Sequence, residues 1–213
     1  MKILIIGASG HAGRAIFKEA TRRGHKVTGL VRNEARAHQV LGKDAKLIID
    51  DAFNTKRVDL GRFDVVIDAF STDPLQAYLH VDLCAHLIHE LRESRGPRVI
   101  FITGAGSLLD KHDQPFVDTL AKLPTAASFI ATPHAQAFEL EFLRHVDNVN
   151  WTAFSPSATF QEGPATDYVA GGDHLLANDA GESVLDSGNL ALAILDELEN
   201  PQHSMKRFTA RNA

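Results

Sequence analysis

The sequence predicts a doubly wound α/β fold, a mainly parallel sheet with helices on both faces, built as a single domain over residues 1–213. Three observations predict it. Short apolar runs alternate with longer amphipathic stretches, the pattern of repeated βα units. The runs are continuous rather than alternating, as strands covered on both faces must be. Two long Gly- and Pro-containing segments, about 104–133 and 155–188, each follow an expected strand and so leave the C-terminal edge of the sheet, where open α/β folds hold ligands.

Each element has a local reason. Residues 3–6 are an apolar run and the first strand. Residues 11–23 are helical, with Ala12, Ala15, Ile16 and Ala20 spaced to face the sheet and Gly24 as terminator. Strands follow at 27–31 and 46–49, with a short helix at 33–41 between them, and a fourth strand covers 65–69. The longest helical pattern runs from about 74 to 95, because Pro74 after Asp73 is a start signal and Gly96-Pro97 a stop. A strand at 99–103, a helix at 134–145 and a strand at 151–154 come next. A helix at 190–198 ends at Asn200-Pro201, and 207–209 form a last short strand.

Composition removes several classes of function. The chain is 44% hydrophobic, enough for a core, and its net charge of -5 comes from mixed acidic and basic residues. No basic stripe exists for a nucleic-acid backbone, so nucleic acid is excluded as a partner. The single cysteine, Cys84, forms no internal disulfide, which fits a reducing compartment. The apolar start stops at Gly7, short of the ~7–15 residues of a signal region, and no run approaches the ~18 residues of a membrane span. The expectation is a soluble cytoplasmic protein without membrane contact, monomeric or homodimeric. Eleven histidines include His86 and His89 three apart on one helix, but no carboxylate or cysteine completes a ligand set, so no metal site is expected.

The chemistry starts at Gly7-Ala8-Ser9-Gly10-His11-Ala12-Gly13, between the first strand and the first helix. That context turns a common glycine pattern into a dinucleotide-binding signal. Gly7 permits the sharp exit from the strand, Gly10 lets the backbone approach a pyrophosphate, and Gly13 lets the helix pack closely. Ser9, His11 and Ala12 complete the turn, and the helix N-terminus offers free N–H groups to phosphate. The second strand ends Leu30-Val31-Arg32-Asn33, without the acid that accepts hydrogen bonds from an NAD ribose. Arg32 and, one turn on, Arg36 suit a 2′-phosphate instead, with Arg14 as a third candidate, so the cofactor reads as NADP(H), with NAD(H) the alternative. Asp51 and Ala52 belong beside the adenine. Ala69, Phe70 and Ser71 belong under the pyrophosphate and nicotinamide ribose, and Thr103 and Gly104 near the nicotinamide.

These residues, with Val99-Ile100-Phe101-Ile102-Thr103-Gly104-Ala105-Gly106-Ser107, resemble the atypical short-chain dehydrogenase/reductases. Trp151-Thr152-Ala153-Phe154-Ser155-Pro156 and Asp196-Glu197-Leu198-Glu199-Asn200-Pro201 are similar to bacterial NADH-flavin reductase-like proteins, to biliverdin reductase B and, more distantly, to NmrA-like regulators. The resemblance covers essentially the whole chain. It implies a Rossmann-like domain with a substrate cleft roofed by 104–133 and 155–188.

One departure is informative. Tyr78 and Tyr168 are the only tyrosines, and neither has a lysine four residues on, so the Tyr-x-x-x-Lys proton-transfer pair of that superfamily is missing. Ketone reduction needs a proton donor beside the developing alkoxide. Reduction of a flavin, taken as substrate rather than as bound cofactor, needs chiefly close stacking of two ring systems. The expected activity is therefore NAD(P)H-dependent reduction of a flavin or a similar flat conjugated small molecule. The alternative is an NmrA-like redox sensor that binds the dinucleotide without turnover, and a sugar-nucleotide epimerase is disfavoured by the missing pair. Ser107 and His134 are candidates for polar catalytic roles in the cleft, and Phe129 and Phe160 for stacking on a flat substrate. Asp68, inside the apolar fourth strand, is the residue that the pattern does not explain.

Overall fold

One eight-stranded sheet organises residues 1–93 and 96–213, which the computed structural model describes. Its strands are β1 (Lys2–Ile6), β2 (Lys26–Val31), β3 (Leu47–Ile49), β4 (Val65–Asp68), β5 (Arg98–Ile102), β6 (Trp151–Pro156), β8 (Tyr168–Gly171) and β10 (Lys206–Asn212). They lie in the order β3-β2-β1-β4-β5-β6-β10-β8. All neighbours pair in parallel except β10 with β8, so the sheet is doubly wound with one antiparallel edge. Strand order reverses between β1 and β4, and the crevice at that switch point is where such folds bind ligands.

The pleat divides the core into two layers. Ile3 and Ile5 of β1 point to one face, with Val65 and Ile67 of β4 and Ile100 of β5. That face is covered by helices α1 (His11–Arg22) and α7 (Ser187–Glu199), through Ile16, Phe17, Leu190 and Ile194. Leu4, Ile6, Val66, Val99 and Phe101 point the other way, under α4 (Leu79–Leu91) and α6 (Ala131–Arg144), through Leu83, Leu87, Leu140 and Leu143. Each such aliphatic side chain contributes about 1.5–3 kcal/mol by leaving water, so burial on both faces accounts for the unbroken apolar runs. Between β2 and β4 the chain adds α2 (Glu34–Leu41), capped by Asn33, whose side chain accepts the Arg36 N–H at 2.9 Å, and the short α3 (Arg57–Leu60).

Three features differ from the periodic reading. The pattern over 74–95 is a 3-10 turn at Pro74–Gln76 and then α4, and its expected end at Arg95 lies outside the described residues. Asp73 caps the turn through the Leu75 N–H, but its first turn does not run on into the longer helix. The irregular segments also carry regular structure. Helix α5 (Phe116–Leu120) lies in the first. In the second are β7 (Thr159–Gln161) and β9 (Val184–Asp186), which pair with each other outside the main sheet, and β8, its antiparallel edge.

Two polar networks fix α7, one to its neighbour α1 and one to the sheet. Arg23 donates to Glu19 of α1 and reaches Asp196 and Glu199 of α7, each at 2.7 Å, while Arg22 donates to Glu19 at 2.7 Å. These arginines, Arg22 first, hold the Glu19 carboxyl down to about 2. At the same end of the sheet, buried Arg98 of β5 pairs with buried Glu197 of α7, next to Asp196 in the chain, and Glu197 also accepts from the His203 ring at 2.7 Å.

Candidate functional site

The glycine turn is built by backbone contact. Gly7 has φ +71°, and a Cβ there would stand 2.5 Å from the Ala69 carbonyl oxygen at the end of β4. At Gly13 a Cβ would stand 2.3 Å from the Gly7 carbonyl oxygen. Both positions require glycine for the turn to close against the neighbouring strand. Gly10 is the N-cap of α1 and brings no side chain to satisfy the first-turn N–H groups, which leaves that end of the helix suited to an anion.

A groove of about 320 Å³ runs over this turn, lined by Gly7, Ser9, Gly10, His11, Arg32, Arg36, Asp51, Ala52, Ala69, Phe70 and Ser71. The structure thus brings together the residues that the sequence nominated at the ends of β1, β2, β3 and β4. Ile6, Leu30 and Val31 form its apolar floor, unnominated because their burial in a strand masks their position at its end. Arg32 and Arg36 are exposed and make no side-chain hydrogen bond or ion pair with the described residues. Arg14 is instead paired with Glu162 at 2.6 Å and does not line the groove. Asp51 accepts the Phe53 N–H at 3.0 Å as the cap of a short 3-10 turn.

A second cavity, about 560 Å³, shares His11, Ala69, Phe70 and Ser71 with the groove and so continues it. Ala12 and Thr103 line this second part; Gly104 does not, and a Cβ added there would run into the Gln136 side chain. The walls come from both irregular segments and from the start of α6: Ala105, Gly106, Leu120, Phe129, Thr132, Pro133, Gln136 and the stretch Pro156-Ser157-Ala158 with Phe160. Phe160 stacks on His11 with ring centroids 4.6 Å apart. The aromatic pair named for a flat substrate, Phe129 and Phe160, therefore does face one cavity. His80, in the first turn of α4, also lines it and was not singled out for it, because its place emerges only from the packing of α4 on β4.

The two polar candidates lie elsewhere. Ser107 is buried behind the cavity wall, its hydroxyl donating to the Gly104 carbonyl at 2.8 Å and bonded to Ser155 Oγ at 2.9 Å. Thr103 Oγ1 joins the same chain, 2.8 Å from Ser155 Oγ, so these hydroxyls brace β5 against β6. His134 turns to the outer surface, where it stacks on Phe138 and lines a groove with Tyr78 and Leu75. Neither tyrosine lines the cavity, and the Tyr168 hydroxyl donates to Asp196 of α7 at 2.7 Å. Among the described residues no group of three or more His, Cys, Asp or Glu is placed to hold a metal, and no helix is long and apolar enough to cross a membrane.

Comparison with known proteins agrees with this geometry. The chain is 38% identical to the uncharacterized protein YwnB of Bacillus subtilis (strain 168), over 98% of this chain and 97% of that one. A solved structure from Lactobacillus casei superposes with a TM-score of 0.93 at 40% identity, covering 100% of both chains. Another, from Streptococcus pneumoniae TIGR4 and provisionally named an NADH-flavin reductase, gives a TM-score of 0.90 at 33% identity, again over 100% of both. The NAD(P)H-binding family model matches residues 7–201, and the chain belongs to that family.

Proposed function

We propose that the protein is an NADP(H)-dependent oxidoreductase that reduces a flavin, or a similarly flat conjugated acceptor, held in the cavity beside the glycine turn. The observation that carries this reading is the continuity of the two cavities through His11, Ala69, Phe70 and Ser71. A dinucleotide laid along the groove has its adenosine end at Arg32, Arg36, Asp51 and Ala52. Its pyrophosphate lies on the Gly7–Gly13 turn, and its far end reaches the larger cavity. The provisional name of the Streptococcus pneumoniae relative points the same way.

The groove's residues fit such a group. The uncapped start of α1 offers N–H donors to a pyrophosphate, and two unpaired arginines at the end of β2 offer planar forks to a 2′-phosphate. When bound, the reduced nicotinamide supplies a hydride. Ala69, Phe70 and Thr103 set the floor on which the two rings approach. Phe129 and Phe160 present flat apolar surfaces for the acceptor, and the apolar walls exclude water from it. Close parallel approach is the main contribution asked of the protein, consistent with a cavity that neither tyrosine enters.

The experiment is an NADPH oxidation assay with riboflavin phosphate in excess, followed at the nicotinamide absorbance band. Oxidation well above the protein-free rate, and faster with NADPH than with NADH, is expected. NADPH binding without oxidation by this or other flat acceptors would instead make the protein a dinucleotide sensor.

A further inference from the structure

Behind the cavity lies a set of buried ionisable side chains that neither stability nor the site described above explains. The alternation along β4 places Asp68 on the same side as Val66, under α4 and α6. Asp68 is 5% exposed, and its Oδ1 accepts the Phe70 N–H at 3.0 Å. Glu139, four residues after Ala135 on the sheet-facing side of α6, is 2% exposed, and its Oε2 has no hydrogen-bond partner. His80 is 5% exposed, lies edge-on to Phe70 with ring centroids 5.3 Å apart, and lines the cavity; its Nε2 has no partner either. Cys84, one turn deeper on α4, is fully buried and feels the charge of both carboxyls.

The Asp68 charge acts on Glu139, and with no cation among the charges acting on either buried carboxyl, ionisation of both together is disfavoured. Burial pushes the Asp68 carboxyl up to about 7, only partly opposed by the Phe70 N–H. Burial first, and then the Asp68 charge, raise Glu139 well above the ordinary carboxylate range and so favour its protonated form. Burial lowers the His80 ring to about 4, so it is neutral. A neutral imidazole passes a proton by giving from one nitrogen and taking at the other. Such an arrangement is costly to fold, and groups perturbed in this way cluster at functional sites.

We propose that Asp68, Glu139 and His80 form the proton supply of the cavity: His80 gives a proton to the acceptor that has taken the hydride, and the carboxyl pair replaces it. This rests on the reading of the cavity as a reductase site. The acceptor gains two electrons and one hydrogen as hydride from the reduced dinucleotide, and one proton through His80. The dinucleotide leaves oxidised, the acceptor leaves with two added hydrogens, and one proton from solvent restores the pair.

The test combines infrared spectroscopy with rate measurements. The wild-type protein should show a protonated-carboxyl band at neutral pH that weakens in Glu139→Gln, Asp68 supplying the remainder. Turnover with riboflavin phosphate should fall as pH rises through about 7. In Asp68→Asn and His80→Phe that decline should disappear, with the rate down about tenfold or more and NADPH binding intact. A missing band in the wild type overturns the proposal, and this measurement needs no variant to fold. Turnover that keeps its rate and pH profile in both variants overturns the relay and leaves the reductase reading standing. A wild type that shows the band but reduces no acceptor overturns the reductase reading and the relay with it.

Discussion

The ring of Phe160 lies against that of His11, with centroids 4.6 Å apart and planes inclined by 29°, so the second irregular segment closes on the first turn of α1. The contact joins the residue nominated for a flat substrate to one that lines both cavities. Phe160→Ala should therefore raise the KM for riboflavin phosphate several-fold while leaving NADPH affinity nearly unchanged. An equal loss of affinity for both would show that Phe160 shapes the groove as a whole, and steady-state kinetics with fluorescence titration separates the two.

Arg32 is exposed at the end of β2 and unpaired, the position at which a 2′-phosphate would meet it. A charge-assisted hydrogen bond contributes about 1.5–3 kcal/mol. Arg32→Ala should thus weaken NADPH about tenfold or more and NADH little, as read by isothermal titration. Equal losses for the two dinucleotides would contradict the preference.

Gly13 packs α1 against the strand exit so closely that a Cβ would stand 2.3 Å from the Gly7 oxygen and 2.9 Å from the Ala8 α-carbon. Both contacts are backbone, so no side chain can yield. Gly13→Ala should cost about 1–3 kcal/mol of stability, with a melting temperature lower by a few degrees and NADPH binding strongly reduced.

Much of this was legible in the chain. Ile3, Ile5, Val65 and Ile67 belong to unbroken apolar runs because both sheet faces are covered, and that feature survives in a linear reading. The glycine turn is legible because Gly7, Gly10 and Gly13 each answer a local backbone demand. The three-residue strands β7 and β9 show no period because each is set by its partner rather than by its own sequence. The place of His134 is hidden from a linear reading for a similar reason. The start of α6 does reach the cavity, but through Thr132, Pro133 and Gln136, and the helical turn carries His134 outward. Nothing in the helical pattern at 134–145 marks Glu139, and only tertiary packing reveals its burial within reach of the charge of Asp68, the residue that the strand pattern does not explain.

That pair also predicts how stability depends on pH. Asp68 has a folded pKa of about 7 against an ordinary 3.8, so the folded state holds the extra proton and stability is lost as pH rises from about 4 to about 7. His80 works oppositely, because its folded value of about 4 lies below 6.5, and stability is lost as pH falls from about 6.5 to about 4. The melting temperature of Asp68→Asn minus that of the wild type should therefore grow between pH 4 and 7, by about 3 °C or more, and level off above. A difference independent of pH would show that Asp68 does not titrate in that window.

In the proposed reaction, hydride passes directly from NADPH to a flat acceptor within the cavity. The most direct measurement uses NADPH deuterated at the transferring position of the nicotinamide, with a 5-deazaflavin, whose C5 retains a transferred hydrogen without exchange. Mass spectrometry of the product should find deuterium at C5 in proportion to the NADPH consumed. Protein that binds both molecules yet yields no labelled product would contradict the account.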